Sequence, residues 1–381
     1  MLRKRFIYLL MLLLCPLNLA FGPPRLTESD AAQSPVYDFQ LEKLALSTST
    51  YTLARAAVIM DMDTGRLVWE SNGHTRLPMA STTKIMTALL AMENGNLTDK
   101  IKVRYEDLLP LEGTESSRMW LDVGQEWTLE QLLWGLMLPS GNDAANVIAG
   151  YIGKGSIENF VGMMNARAAE LGLKDTQFKT PHGLDTDGHY TSAYDLTVIG
   201  RELVKYPIIN KMIKTGYYVI EGPRDLPVQN TNRFVREPDI EPSIDGIKTG
   251  YDDLSLQCIV ASATRGGHRI LVTVLGSYEY VRDTKELVNW AFSQYAWTPI
   301  YPPAGQFQPS MGEGGQGAGL GFKAPRFEMV PSWQGPYTRL HVAVDRPTTQ
   351  SSDPSAVAQA LYSLGNSVLT PLLLYDRSAS R

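Results

Sequence analysis

The order in which hydrophobic periodicities change along the chain constrains its fold more than any other feature. Ala54 to Met60 is an apolar run, Asp61-Met62-Asp63-Thr64-Gly65 is a turn, and Arg66 to Glu70 returns as a strand, which together spell a hairpin. Helical spacing then takes over. It runs over Met79 to Glu93, Leu129 to Met137, Asp143 to Gly150, Ile157 to Leu171 and Tyr194 to Val204, with Ser81 and the next threonines in an N-cap region and Gly95 as a stop. Beyond about residue 215, β-branched and aromatic residues dominate Tyr217 to Ile220, Leu256 to Thr264 and Ile270 to Leu275, and Thr284 to Phe292 is helical again. A hairpin, then helices, then strands closed by a helix points to an α+β domain with helices packed on a central antiparallel sheet.

Both ends differ from this body. Arg3, Lys4 and Arg5 precede an unbroken apolar run from Phe6 to Cys15, the layout of a secretory signal over residues 1–22, with an uncleaved anchor as the alternative. Residues 23–48 are weakly patterned and suit a tether. The body is assigned to 49–295. Pro302-Pro303 and the glycines from Gly312 to Gly321 mark a linker over 296–325, and 326–381 reads as a small β-rich C-terminal region, with strands at Phe327–Met329 and Arg339–Val344. The stretch from Ala356 to Tyr375 fits a weak amphipathic helix or a strand near Leu369–Tyr375.

Composition excludes several function classes. With 44% hydrophobic residues the chain can build a core, and with 35 basic against 40 acidic residues it lacks the basic face of a nucleic-acid binder. No interior run of about 18 apolar residues suggests a polytopic membrane protein. Of two cysteines, Cys15 leaves with the signal, so Cys258 is alone, in a strand-like run where it packs as a small hydrophobe.

Chemistry concentrates in three places. Ser81-Thr82-Thr83-Lys84 opens a helix, and a spacing of three puts the hydroxyl and the amine on one face. A serine nucleophile with an amine base requires a neutral lysine, which burial and a second nearby cation both favour. Ser140-Gly141-Asn142 follows 59 positions after Ser81 and adds a second hydroxyl and an amide. Lys248-Thr249-Gly250 comes 108 positions later, after Asp245-Gly246-Ile247, with a cation, a hydroxyl and a glycine that admits close backbone approach. A second Lys-Thr-Gly, at Lys214 to Gly216, has short spacing from Ser140 and no Asp-Gly turn before it. It is expected to be a helix C-terminus with Gly216 as a left-handed cap.

Ser-x-x-Lys, Ser-x-Asn and Lys-Thr-Gly in this order resemble the signature set of penicillin-binding proteins. From about Thr52 to Phe292 the sequence resembles the serine-type D-alanyl-D-alanine carboxypeptidases, the low-molecular-weight penicillin-binding proteins. Further blocks carry the likeness, among them Pro181-His182-Gly183-Leu184, Asn230-Thr231-Asn232 and Asp245 to Tyr251. The resemblance implies a β-lactamase/transpeptidase-like fold, with Ser81 as the acylated nucleophile, Lys84 as its base, and Ser140 and Asn142 as a proton-shuttling and positioning pair. Lys248 and Thr249 would hold the substrate's terminal carboxylate, with Gly250 and Tyr251 also in the substrate-binding set, and the N–H groups of Ser81 and Tyr251 would form an oxyanion hole. It further implies peptidoglycan stem peptides as substrate, β-lactam antibiotics as covalent inhibitors, no cofactor or metal, no nucleic acid, and a site of action in the periplasm or on the outer face of the cytoplasmic membrane, with room for peripheral association there. DD-endopeptidase or β-lactam hydrolase activity on the same site, or non-enzymatic wall binding, are the alternatives. One departure stands out: Asp252, where the family usually has Thr, places an anion beside the carboxylate-binding edge.

Two lesser patterns carry less. His182 to His189 fits no zinc spacing and lacks the rest of a calcium loop, so it reads as a Gly-rich turn. Trp120, Trp127 and Trp134 recur every seven residues across Gly124, which breaks any single helix and favours core or cleft packing.

Overall fold

Strands β1 (Ala56–Asp61) and β2 (Leu67–Ser71) form the expected hairpin, and three late strands complete the sheet: β7 (Ile244–Asp252), β8 (Leu256–Arg265) and β9 (His268–Ser277). The order is β2-β1-β9-β8-β7, antiparallel throughout, so β1 pairs with β9 across some two hundred residues of intervening chain. This computed structural model describes residues 52–300, 320–321, 326–332, 340–345, 358–364, 367–368 and 372–376. The signal expected over 1–22 and the tether over 23–48 lie outside the described residues.

Both faces of the sheet are covered, and alternation along each strand follows from the two-residue period. Val58, Met60, Val260, Leu271 and Leu275 point into one core, while Ala57, Ile59, Ile259, Ala261, Val272 and Val274 point into the other. The first core lies under the helices of the middle segment: α1 (Lys84–Asn94), α2 (Tyr105–Leu108), α3 (Leu129–Met137), α4 (Asn142–Ile152), α5 (Ile157–Glu170), α6 (Ala193–Leu203) and α7 (Pro207–Ile213). After the short α8 (Arg233–Arg236), α9 (Tyr280–Gln294) closes the second core through Leu287, Val288, Trp290 and Ala291. Each fully buried Val, Leu or Ile contributes on the order of 1.5–3 kcal/mol. Two small hairpins, β3 (Lys100–Lys102) with β4 (Glu126–Thr128) and β5 (Tyr217–Ile220) with β6 (Leu226–Gln229), complete this part.

Three local expectations change. The helix expected over Met79–Glu93 begins as a separate 3-10 turn at Ala80–Thr83 before α1, and neither Ser81 nor Thr83 caps it with a side chain. The Ser81 hydroxyl instead accepts a proton-side contact from Lys84, and the Thr83 hydroxyl bonds the Ala80 carbonyl at 2.8 Å. Residues 296–325 are not simply a linker: β10 (Tyr295–Ile300) lies at their start and pairs with β12 (Arg326–Pro331), and β11 is at Leu320–Gly321. Trp297 donates to the Asp61 carboxylate at 3.0 Å and stacks on His268 at 4.9 Å, and that tertiary contact extends the chain where Pro and Gly content suggested none. Gly216 is no left-handed cap, because its φ is not in the positive region; a Cβ there would meet the Val235 carbonyl at 3.0 Å.

The C-terminal region is β-rich. Strands β11, β16 (Leu372–Asp376), β14 (Ala358–Leu364) and β13 (Leu340–Asp345) form a sheet in that order, and β15 (Ser367–Val368) pairs with β14. Strand, not helix, therefore occupies the described part of Ala356–Tyr375.

Candidate active site

The site forms where the start of α1, the start of α4 and the outer strand β7 converge. Lys84 donates to the Ser81 Oγ at 2.7 Å and to the His182 carbonyl at 2.7 Å, so the three-residue spacing does place hydroxyl and amine together. Lys84 is wholly buried at the first turn of α1, among Ala80, Thr83, Ile85 and Thr87. Burial first, and then the nearby Lys248 ammonium, hold its pKa well below the ordinary lysine value; Asp143 opposes them. An amine so placed gives up its proton more readily than an ordinary lysine, the direction that a base requires.

Lys248 lies on β7, also fully buried, and burial pushes its pKa down to about 7; its Nζ donates to the Thr249 carbonyl at 3.0 Å. A group poised at that value takes up its proton when an anion arrives beside it. Thr249 shares a hydrogen bond with the Thr231 hydroxyl at 2.7 Å. Gly250 is where β7 passes closest to the 3-10 turn: a Cβ would stand 3.0 Å from Met79 O, Ser81 N and Thr82 N, all backbone atoms. A side chain there would push β7 off Ser81. Tyr251, next along, is exposed at the strand's end.

Ser140 and Asn142 arrive at the head of α4, both buried. Among the described residues the Ser140 Oγ and the Asn142 Oδ1 have no hydrogen-bond partner, so these polar atoms can meet a bound molecule. Ser140 has φ +65° and Ala80, just before Ser81, has φ +45°, conformations that cost a non-glycine residue roughly 1–3 kcal/mol and collect where function requires a fixed backbone. Asp143 is the residue that motif reading passed over. It is buried in the first turn of α4, and its carboxylate accepts from Met119 N at 2.9 Å and Leu121 N at 3.1 Å. Its place one residue past Asn142, at a helix start where carboxylates are favoured, was the available signal.

The 182–189 turn roofs Lys84, whose amine donates to the His182 carbonyl. Gly183 has φ +95° and a Cβ there would fall 1.9 Å from the Ala80 carbonyl, so only glycine lets the turn lie against the 3-10 helix. His189 shares a hydrogen bond with the Thr83 hydroxyl at 2.9 Å. Burial holds both imidazoles neutral, pulling His182 down to about 3, with Lys84 assisting, and His189 to about 4. Among the described residues no cluster of three or more His, Cys, Asp or Glu is arranged to hold a metal ion. Cys258 is buried on β8, and burial pushes its thiol up to about 12. The lysine of the second Lys-Thr-Gly is exposed: Lys214 pairs with Asp245 at 2.8 Å, three residues before the buried Lys248.

A family model described as D-alanyl-D-alanine carboxypeptidase matches residues 45–279, more than half of the chain, and those residues include every group just described. The chain belongs to the D-alanyl-D-alanine carboxypeptidase family. It is 39% identical over 256 residues to the D-alanyl-D-alanine carboxypeptidase DacF of Bacillus subtilis, covering 65% of this chain and 64% of that one. To the Escherichia coli K12 enzyme DacA it is 34% identical over 250 residues, covering 63% and 60%. The chain thus spans a little under two thirds of the length of these carboxypeptidase relatives. Among solved structures, penicillin binding protein 5 from Haemophilus influenzae matches with TM-score 0.70 and 26% identity over 86% of this chain and 98% of that one. The Streptomyces K15 DD-transpeptidase matches with TM-score 0.61 and 32% identity over 65% and 99%. Both share the sheet-and-helix fold of this chain.

Proposed function

We propose that the protein is a serine-type D-alanyl-D-alanine carboxypeptidase that removes the terminal D-alanine from peptidoglycan stem peptides. The observation that carries this reading is the buried Lys84 amine 2.7 Å from the Ser81 hydroxyl. Neutral Lys84 takes the Ser81 proton as Oγ attacks the carbonyl of the last peptide bond, and the N–H groups of Ser81 and Tyr251 receive the oxyanion. Collapse breaks the C–N bond. The proton returns through Lys84 and Ser140 to the leaving amine, and D-alanine departs from a serine ester. Water, deprotonated by the same amine, then attacks the ester and frees the shortened peptide. Lys248 and Thr249 hold the terminal carboxylate, Lys248 charging as the anion binds, and Asn142 orients the peptide amide from the opposite wall.

A β-lactam follows the same first step, its ring C–N bond breaking while the amine stays tethered, so water meets a blocked ester. The residues 1–22 support export, which places the enzyme where peptidoglycan is. Among the described residues no helix is long and apolar enough to cross a membrane.

Mass measurement after incubation with benzylpenicillin, with peptide mapping, tests the reading. One adduct on Ser81 is expected, together with D-alanine release from a pentapeptide. Ser81→Ala should lose both. An adduct on another residue, or labelling retained in Ser81→Ala, overturns it.

A further inference from the structure

A buried hydrogen-bond relay leads from the 182–189 turn to the peptide bond ahead of Ser81. Lys179 N donates to the His189 Nδ1 at 2.9 Å, and a backbone N–H can only donate, so Nδ1 carries no proton. The ring is then neutral with its hydrogen on Nε2, and the 2.9 Å bond to Thr83 runs from Nε2 to the hydroxyl oxygen. That direction leaves the one Thr83 hydroxyl proton for the Ala80 carbonyl, 2.8 Å away. His189 is itself held in place. Its N–H donates to the Thr186 carbonyl at 2.9 Å, Tyr190 beside it pairs with Gln177 through two backbone bonds, and the Phe178 ring meets the imidazole edge-on at 6.1 Å. Thr83 and His189 are both buried, which keeps water from competing for either bond.

The relay ends on the peptide unit that joins Ala80 to Ser81. A trans peptide is planar with its C=O and N–H pointing in opposite directions, so a hold on the Ala80 oxygen aims the Ser81 N–H the other way. Ser81 N lies where β7 passes: a Cβ on Gly250 would stand 3.0 Å from it. Ala80 has φ +45°, a conformation that an alanine keeps only when its surroundings impose it. Gly183 packs on the same carbonyl, but its own N–H is spent on the Thr180 hydroxyl at 2.9 Å, so the hydrogen that reaches the Ala80 oxygen from this side is that of Thr83. We infer that His189 is a positioning residue that acts through Thr83 to fix the Ala80–Ser81 peptide, and so aims the Ser81 N–H at the oxyanion. This rests on the proposed function, in which that N–H receives the oxyanion. Burial, which pulls the His189 pKa down to about 4 against the opposing charge of Asp252, agrees with the neutral ring that the geometry requires.

Substitutions that keep one half of the imidazole separate the relay from the packing. In His189→Gln the amide nitrogen reaches the Nε2 position and still donates to Thr83. In His189→Asn the amide oxygen falls at Nδ1 and serves Lys179 N alone. Thr83→Ser keeps the hydroxyl, and Thr83→Val removes it at nearly equal volume. Acylation of the full chain by a fluorescent penicillin, over a range of concentrations, separates the dissociation constant from the acylation rate constant. His189→Asn and Thr83→Val should lower the rate constant about tenfold, short of the roughly 10²–10³ lost with an oxyanion donor outright, and leave the dissociation constant within about twofold. His189→Gln and Thr83→Ser should stay within about threefold of the parent in both. Unchanged rates in His189→Asn and Thr83→Val, an equal loss in His189→Gln and His189→Asn, or a change in the dissociation constant alone overturns the positioning role. If no His189 variant folds, the Thr83 pair decides, equal rates in Thr83→Ser and Thr83→Val being the overturning result. Nitrogen-15 NMR of the imidazoles reads the relay without activity: His189 should carry its proton on Nε2, and a proton on Nδ1 overturns the relay. A parent that neither is acylated nor turns over penicillin sinks the proposed function and the positioning role with it, while the tautomer still reports on the relay.

Discussion

Lys84 and Lys248 are each fully buried, and Lys248 bears on the charge of Lys84. Lys84 loses its proton more readily because Lys248 is close, so the reaction that needs a neutral base should speed up with pH through the lowered Lys84 pKa. Lys248→Ala removes the repulsion and should move that rising limb of penicillin acylation to higher pH, besides weakening carboxylate binding about 10- to 100-fold. Lys214→Ala removes an exposed ion pair and should change the rate little. A pH–rate profile for the two variants checks both; a crippled Lys214→Ala beside an intact Lys248→Ala would reverse the assignment. At this scale Ser81, Lys84, Ser140, Asn142 and Lys248 to Tyr251 were legible in the sequence, since motif spacing states which residue types recur at a helix start and on a strand. Asp143 and the His182 carbonyl were not. One acts through two backbone N–H groups more than twenty residues away, and the other is a backbone atom that no residue identity announces.

Among the elements, α4 shows how one wall of the candidate site is built from an ordinary helix start. Asp143 ties the segment Met119–Leu121 to the first turn of α4, and beside it Asn142 N donates to the Ser117 carbonyl at 2.8 Å. Removing the carboxylate would leave two buried N–H groups unpaired, each costing about 1–3 kcal/mol. Asp143→Ala should therefore lose about 3 kcal/mol in urea unfolding, and also raise the fraction of neutral Lys84, because Asp143 favours the charged amine. A loss below about 0.5 kcal/mol, ordinary for a surface change, would mean that these bonds are dispensable. Element boundaries agree with the periodicity where a helix is amphipathic: Leu129–Met137 stands where expected, and Ile157–Glu170 ends one residue before the expected Leu171. They differ at Ala80–Thr83, because a positive φ at Ala80 and the pull of Lys84 on Ser81 are tertiary demands that a local pattern does not contain.

Over the whole molecule, the catalytic fold and the chain beyond it are joined through β10 and β12. Arg66 on the first hairpin donates to Glu328 at 3.1 Å and to the Met329 carbonyl at 2.9 Å, and Met329 enters the second core. Burial raises the Glu328 pKa against the pull of Arg66, so the ion pair matters more as pH rises and the carboxyl ionises. Arg66→Ala should cost about 1–3 kcal/mol at pH 8 and less at pH 5, measured by denaturant unfolding. An equal cost at both values would show that Glu328 keeps its charge, or lacks it, across that range.

By itself the sequence determined the class of fold and the family. Periodicity separates strands that alternate from helices that repeat every three to four residues, and the short motifs name a hydroxyl, an amine and a carboxylate-binding edge. Only the tertiary structure decided which strand pairs with which, that burial and Lys248 pull the Lys84 pKa down, and that residues 295–300 form a strand. Those outcomes depend on burial and on contacts between residues far apart in the chain, and neither quantity is a property of a local stretch of sequence.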